Sequence, residues 1–265
     1  MIHPTAIVHP GARLDPSVNV GPFVVIDAHV VIGAGCVIGP HAYITGHTTI
    51  GVNNRFHAGC VIGDAPQDLK YRDEPTGLII GDDNVIREHA TIHRSNKAEE
   101  ATVIGSHNYL MAESHVGHNC VVGDHVILVN GSMLAGHVTV GDRALLSGGC
   151  AVHQFVRVGT LAMMQGNSGI SQDLPPFTLS RGLNVLAGLN VVGLRRAGMT
   201  KDERLELKKA YRMLFTGTER MVERIEKARP ACPGPFSQQL IEFVATTKRG
   251  ICSTRAPRRG GTAEN

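Results

Sequence analysis

Residues 110–155 read LMAESHVGHNCVVGDHVILVNGSMLAGHVTVGDRALLSGGCAVHQF. An aliphatic side chain returns at every sixth position: Leu110, Val116, Val122, Leu128, Leu134, Val140, Leu146, Val152. A period of six is neither helical nor the simple alternation of a strand. It marks a hexapeptide parallel β-helix, an all-β solenoid whose flat faces are short strands. Three hexads close one triangular coil, so residues eighteen apart stack at about the strand spacing of 4.8 Å. That arithmetic puts Gly136 over His118 and Gln154 over Gly136. His115 falls near the same corner, and His137 and His153 lie one residue off the column. Four imidazoles, a glycine and an amide are thereby gathered on one edge. The glycine leaves open space and a reachable backbone N–H above His118.

Outward from this stretch the beat continues. It begins at Ile2 and runs through Val8, Leu14, Val20 and onward to Ile62. Residues 64–78, DAPQDLKYRDEPTGL, are polar and hold two prolines. They cannot form a coil face and are expected as an external loop of functional importance. Ile80, Ile86 and Ile92 resume the repeat, and a second excursion is expected near 94–102. From Ile104 the repeat is unbroken to Ile170. It is expected to end at Leu174-Pro175-Pro176, where two prolines remove strand donors. Residues 1–176 would then be the solenoid and 177–252 a small α-helical C-terminal domain. Thr200 with Glu203 matches a capping box and predicts a helix to about Phe215. Asn190–Arg196 offers an earlier start. Residues 219–229 predict a helix stopped by Pro230, and residues 236–247 another. The stretch 253–265, STRAPRRGGTAEN, lacks an apolar anchor and is expected to be disordered.

Composition agrees with small coils: the 265 residues include 31 glycines and no tryptophan. Narrow interiors take aliphatic and small residues, and tight corners take Gly, Asn and Asp. Cys36, Cys60, Cys120 and Cys150 all fall four places after an aliphatic position, a slot shared with Ala42, Ala90 and Ala144. They read as small buried hydrophobes. No CxxC pair suggests a zinc or redox motif. No signal-peptide pattern and no membrane-length apolar run occurs, so a cytoplasmic protein is expected. From Pro176 onward 17 Lys and Arg face 8 Asp and Glu, or +9, against −6 for the preceding residues. Such a basic region suits a nucleic acid, an anionic membrane or an acidic protein.

Particular motifs carry a resemblance to a known family. These are Gln67-Asp68-Leu69-Lys70-Tyr71, Glu74-Pro75-Thr76, Thr91-Ile92-His93-Arg94, and His115 with His118. They continue with Leu134-Ala135-Gly136-His137, Val152-His153-Gln154-Phe155, and Gln172-Asp173 with Pro175-Pro176. With the repeat and the helical C-terminus, the chain resembles the UDP-N-acetylglucosamine O-acyltransferases of lipid A biosynthesis over nearly its whole length. The resemblance implies a left-handed coil, although crossovers are normally right-handed. It also implies a homotrimer with sites between subunits.

The implied reaction moves an (R)-3-hydroxyacyl group from acyl carrier protein to the 3-position of UDP-N-acetylglucosamine. By resemblance His118 is the general base and the Gly136 N–H stabilises the oxyanion. His115, His137, His153 and Gln154 would position sugar and acyl chain, and Asp68 and Lys70 would contact the sugar. Asn190 and Arg196 would hold the nucleotide and its phosphates. Gly166 occupies the position of the family's acyl-chain ruler. Val192 stands where better-known members have Glu, Ala197 where they have Arg, and Asn119 where Asp is frequent. Either Asp68 or a backbone carbonyl could orient the His118 ring. No metal, cofactor, nucleic acid or stable membrane insertion is expected. Two other readings compete: a zinc enzyme like the gamma-class carbonic anhydrases, which also cluster histidines on this fold, and a non-catalytic binding solenoid.

Overall fold

The computed structural model describes residues 1–254. Most hexads fold as a two-residue strand and a turn, as in His115–Val116, Val121–Val122 and Ile127–Leu128. The second residue of each strand points inward. Val116, Leu134 and Val152 stack in this way at 2% exposure or less. Every third strand pairs in parallel register, His115 beside Met133 and Met133 beside Ala151. Among the described residues the strands form three sheets of nine, eight and ten strands, which are the faces of a left-handed parallel β-helix. The nine-stranded face holds His115–Val116, the eight-stranded face follows the His118 corner, and the ten-stranded face closes the coil.

The corners explain many histidines away from the clustered edge. His41, His89, His107 and His125 all have φ between 56° and 60°. This left-handed region is costly for most side chains, and short polar residues occupy it at turns. The inward slot four residues past each aliphatic position holds the buried Cys36, Cys60, Cys120 and Cys150. Burial pushes the Cys60 and Cys120 thiols up to about 12, so neither ionises at neutral pH. Three successive coils put asparagine in this slot. Asn84 Nδ2 donates to Asn54 Oδ1 at 2.9 Å, and Asn84 Oδ1 accepts from the Asn108 backbone N–H at 2.9 Å. This ladder satisfies the Asn54 and Asn84 amides, which would otherwise be costly to bury, and leaves Asn108 Nδ2 at its end without a partner among the described residues.

Two excursions leave the coil. Residues 65–76 lie between strands Val61–Asp64 and Gly77–Ile80, and residues 94–100 between Thr91–His93 and Ala101–Ile104. They are fastened to one another. Arg94 Nε donates to the Tyr71 hydroxyl at 3.2 Å, and Arg94 Nη1 to Gly63 O at 2.8 Å. Asn96 Nδ2 donates to Asp68 Oδ2 at 2.7 Å.

The solenoid does not stop at the two prolines. Thr178–Arg181 adds another parallel strand to the ten-stranded face, and Val185–Leu189 folds back on it antiparallel. Pro175 and Pro176 occupy the corner before that strand, so the donors from Thr178 onward remain for the ladder. Helix α1 (Val191–Arg196) follows, then α2 (Lys201–Phe215), α3 (Met221–Ala231) and α4 (Pro235–Ala245). The Thr200–Glu203 capping box is formed at the start of α2. Helix α3 passes through Pro230 and ends one residue later. In the last turn a proline forfeits only one backbone bond, a small loss beside that in a helix interior. Leu207, Ala210, Leu214, Leu240 and Ile241 build a second core among the helices. The buried Asp173 joins this layer to the coil: it accepts from Arg157 Nε at 2.9 Å, and Arg157 donates to Phe243 O at 3.0 Å. Ser253 pairs with Val185, and the remainder of the expected tail, from Arg255, lies outside the described residues.

Candidate active site

The edge between the nine- and eight-stranded faces carries a cavity of about 430 Å³. His115, His118, Gly136 and Gln154 line it, joined by Gln67 from the first excursion and His93 from the strand before the second. Strand register sets this grouping. His115 is the outward residue of a two-residue strand, and His118 is at the corner three residues later. No excursion interrupts the chain between His118 and Gly136, so the eighteen-residue stacking holds there. A Cβ built on Gly136 would lie 2.6 Å from His118 Nε2, closer than real Cβ contacts allow. Only glycine fits with the ring where it is. The Gly136 N–H finds no acceptor among the described residues.

The surrounding imidazoles are held in fixed poses. His115 Nδ1 is 2.7 Å from Thr91 Oγ1, and its ring meets His93 edge-on at 5.0 Å between centroids. His137 meets His118 edge-on at 5.2 Å and stacks flat on Phe155 at 4.6 Å. Burial first, and neighbouring histidines second, push His93, His115 and His137 below the usual imidazole range, with His93 at about 4. These three therefore stay neutral near pH 7 and add no positive charge beside His118.

That depression has a consequence for stability. The unfolded chain takes up a proton on residue 93 near pH 6.5, which the fold refuses until about pH 4. The stabilisation is complete above pH 6.5 and is lost as pH falls toward 4. We expect a loss of about 2 kcal/mol from this group at pH 5. Urea unfolding at pH 7.5 and pH 5 checks it, and His93→Gln should narrow the gap between the two midpoints, leaving the smaller part due to His115 and His137.

His118 Nδ1 lies 2.8 Å from Asn119 Oδ1. Among the described residues neither Asp68 nor a backbone carbonyl is hydrogen-bonded to the ring. Asp68 instead accepts from the Lys70 N–H and from Asn96, which hold its carboxyl below the usual range. Lys70 is exposed on the loop, and exposed His153 is 3.3 Å from an Arg249 guanidinium nitrogen. Gln67, His93 and Asn119 lie within or beside the motifs of the resemblance, but no spacing rule singles them out as lining or orienting groups.

Asn190 and Arg196 are not part of this cavity. With Val192 and Ala197 they border a groove of about 620 Å³ over the ten-stranded face, floored by Ile127, Leu145 and Met163. Asn190 also caps α1: its Oδ1 accepts from the Gly193 N–H at 3.0 Å and its Nδ2 donates to Leu161 O at 3.0 Å. Gly166 sits at the corner between the ten- and nine-stranded faces. Gly148 O, at 3.5 Å, is the one atom near a Cβ built there. Among the described residues no three His, Cys, Asp or Glu side chains are grouped as for a metal ion.

Comparison with known proteins supplies a family. Residues 173–252 match the model for domain 2 of UDP-N-acetylglucosamine O-acyltransferase, and residues 101–136 match the bacterial transferase hexapeptide model. A protein of Rippkaea orientalis named acyl-(acyl-carrier-protein)–UDP-N-acetylglucosamine O-acyltransferase is 55% identical over 94% of this chain and 91% of its own. One of the same name from Gloeothece citriformis is 46% identical over 94% and 91%. The solved UDP-N-acetylglucosamine acyltransferase of Francisella novicida superposes with a TM-score of 0.91 at 36% identity, covering 96% of this chain and 94% of the other.

Proposed function

The chain belongs to the UDP-N-acetylglucosamine O-acyltransferase family, and from that membership we propose that acyl transfer takes place at the His118 edge. The protein is an acyltransferase of lipid A biosynthesis that acts on acyl carrier protein and UDP-N-acetylglucosamine. Family membership displaces the zinc-enzyme and binding-solenoid readings. One observation carries the assignment of the site: a side-chain-free Gly136 directly against His118 Nε2.

In this reading the sugar 3-hydroxyl attacks the thioester carbonyl of an (R)-3-hydroxyacyl donor. His118 Nε2 takes the hydroxyl proton as the new C–O bond forms. The carbonyl oxygen becomes an oxyanion and accepts a hydrogen bond from the Gly136 N–H. Collapse breaks the C–S bond, and the carrier thiolate leaves with the proton returned by His118. No acyl-enzyme is required, and the buried neutral cysteines offer no nucleophile. Asp68 and Lys70 contact the sugar; His115, His137, His153 and Gln154 position sugar and acyl chain. Asn190 and Arg196 take the nucleotide from a second copy of the chain in a homotrimer. That assembly is supported by the separation of the two lined surfaces onto different parts of one coil and by the apolar floor of the second. A cytoplasmic location fits six buried, unpaired cysteines and the lack of a membrane-length helix among the described residues.

The test is direct. Purified protein is incubated with UDP-N-acetylglucosamine and a panel of (R)-3-hydroxyacyl carrier proteins, and products are identified by mass spectrometry. One acyl addition to the nucleotide sugar, labile to hydroxide as an ester is, supports the reading. No product with any donor overturns it.

Donor docking falls on α2. Lys201, Lys208 and Arg212 are exposed with Leu205 among them, opposite the buried Leu207, Ala210 and Leu214. Arg204 is half-buried and donates to Met199 O. An acidic carrier suits this face. The double reversal Lys208→Glu with Arg212→Glu should raise the donor KM about tenfold and leave the nucleotide-sugar KM alone. Added salt should raise the wild-type donor KM as well. Unchanged donor kinetics in the folded variant would move docking elsewhere.

Acyl length is assigned to Gly166. From the His118 edge to the Gly166 corner, the outward residues of the nine-stranded face shrink from His115 and Met133 to Ala151 and Gly169. An acyl chain lies along this thinning face, and Gly166 leaves its far end open. Each buried methylene is worth about 0.8 kcal/mol, so long donors gain over short ones. Gly166→Met should close the end and shorten the preferred acyl group, read as kcat/KM across donor lengths. An unchanged optimum would place the ruler at another residue.

A further inference from the structure

We infer that Glu100 is a positioning residue for His118, acting through the side-chain amide of Asn119; this rests on the reading of His118 as general base. Asn119 is buried, with 7% exposure. Its two amide ends are assigned by partners that leave no choice. The atom labelled Oδ1 is 3.0 Å from the Asn96 backbone nitrogen, which can only donate. The atom labelled Nδ2 is 2.7 Å from a Glu100 carboxylate oxygen, which can only accept when ionised. Nδ2 is also 2.7 Å from Ser95 Oγ, whose own hydrogen is directed to Lys97 O at 3.1 Å. The Asn119 backbone N–H is tied to Thr102 Oγ1 at 2.8 Å. Lys97 Nζ lies 2.7 Å from Glu100, and these contacts hold the Glu100 carboxyl below its usual range, hence ionised.

The consequence reaches the reacting nitrogen. With Oδ1 fixed, Asn119 presents a lone pair to His118 Nδ1, so Nδ1 carries the hydrogen. A neutral imidazole protonated there keeps its other lone pair on Nε2, the nitrogen that faces Gly136. A flipped amide would offer N–H to Nδ1, shift the hydrogen to Nε2 and remove the base. Asn119 is neutral and cannot balance the imidazolium formed during attack. Glu100 supplies negative charge one hydrogen bond further out. The other groups facing His118 are Asp68 on the first excursion and the neutral His93, His115 and His137; Lys97 on the second excursion acts on the neighbouring His137. Glu100 lies in none of the motifs that carry the family resemblance.

The test is a double-variant cycle on the full chain, with kcat, KM and the pH dependence of kcat/KM measured for both substrates. Glu100→Ala should lower kcat about tenfold and leave the nucleotide-sugar KM within about twofold, the scale of one lost charge-assisted hydrogen bond. Glu100→Gln keeps an acceptor and the size, and should lose about threefold. Asn119→Asp alone sets a carboxylate against Glu100 and should lose about tenfold. Glu100→Gln combined with Asn119→Asp should recover to within about threefold of wild type. The Gln amide then donates to the introduced carboxylate, which still accepts from His118 Nδ1–H. The kcat/KM profile of this double variant should move to higher pH, because a carboxylate then adjoins the imidazole. A merely structural contact would produce neither the recovery nor the pH movement. Losses that multiply in the double variant, or wild-type kcat in Glu100→Ala and Glu100→Gln, would overturn the inference. His118→Ala is measured alongside. If it stays active, the base assignment fails; if it is inactive while the Glu100 variants are unaffected, the Glu100 inference alone fails.

Discussion

His118→Ala lowers kcat by at least about a hundredfold, the low end of what a general base supplies, and leaves the coil folded. The acceptor sets the requirement: a sugar hydroxyl is a weak nucleophile near pH 7 and must lose its proton as it attacks. Among the lining residues of the cavity, His118 combines an orienting partner on Nδ1 with open space at Nε2. His93, His115 and His137 are poorer candidates, since burial disfavours their protonated forms and a base must accept a proton. Folding should not suffer. His118 is a half-buried corner residue outside the inward column and is not one of the buried core side chains. A far-UV spectrum and a thermal midpoint near wild type, with kcat down a hundredfold and the nucleotide-sugar KM little changed, is the expected set. A folded variant that keeps a third of wild-type kcat would strip His118 of the role.

The coil is legible because one rule is repeated. An inward aliphatic every sixth residue sets face, register and core together, and nothing competes with it between Ile104 and Ile170. The same rule stacks Gly136 on His118, because the segment between them contains no insertion. Where insertions occur the arithmetic fails. Thr91 pairs with His115 across 24 residues and Val61 with Thr91 across 30, so His93 and Gln67 reach the cavity by routes no fixed spacing describes. The clasp between the excursions is equally silent in sequence, since Arg94–Tyr71 and Asn96–Asp68 are long-range side-chain pairs. Asn119 shows a different limit. The sequence presents it as a substitution for Asp, and its meaning depends on Glu100 and Asn96, which fold against it from an excursion. The strand after Pro176 escapes a sequence reading because a proline pair that ends a ladder and one that only turns a corner look alike. Asn190 shows that one side chain can carry a structural bond set, the α1 cap, that motif matching does not reveal.

Gly136→Ala is expected to cost nearly as much as loss of the base, about a hundredfold in kcat, with less than about 1 kcal/mol change in stability. Removal of one oxyanion donor typically costs 10²–10³. Here the mechanism is steric. The added methyl would lie 2.6 Å from His118 Nε2 and 2.7 Å from Cε1, and no nearer atom belongs to the backbone. The imidazole must therefore swing away, which separates base from oxyanion donor. The coil itself is spared, since the Gly136 backbone is not in the left-handed region and alanine adopts its conformation without strain. The two variants should then be strongly non-additive, as groups acting as a unit are. In a His118→Ala background the methyl meets no ring, so adding Gly136→Ala should lower the residual rate by less than about threefold. Measured kcat for the two single variants and the double decides the matter. If the losses multiply, the methyl acts independently of the ring, by crowding the reacting carbonyl beside the retained N–H. If Gly136→Ala turns over at the wild-type rate, the oxyanion site is not at this corner.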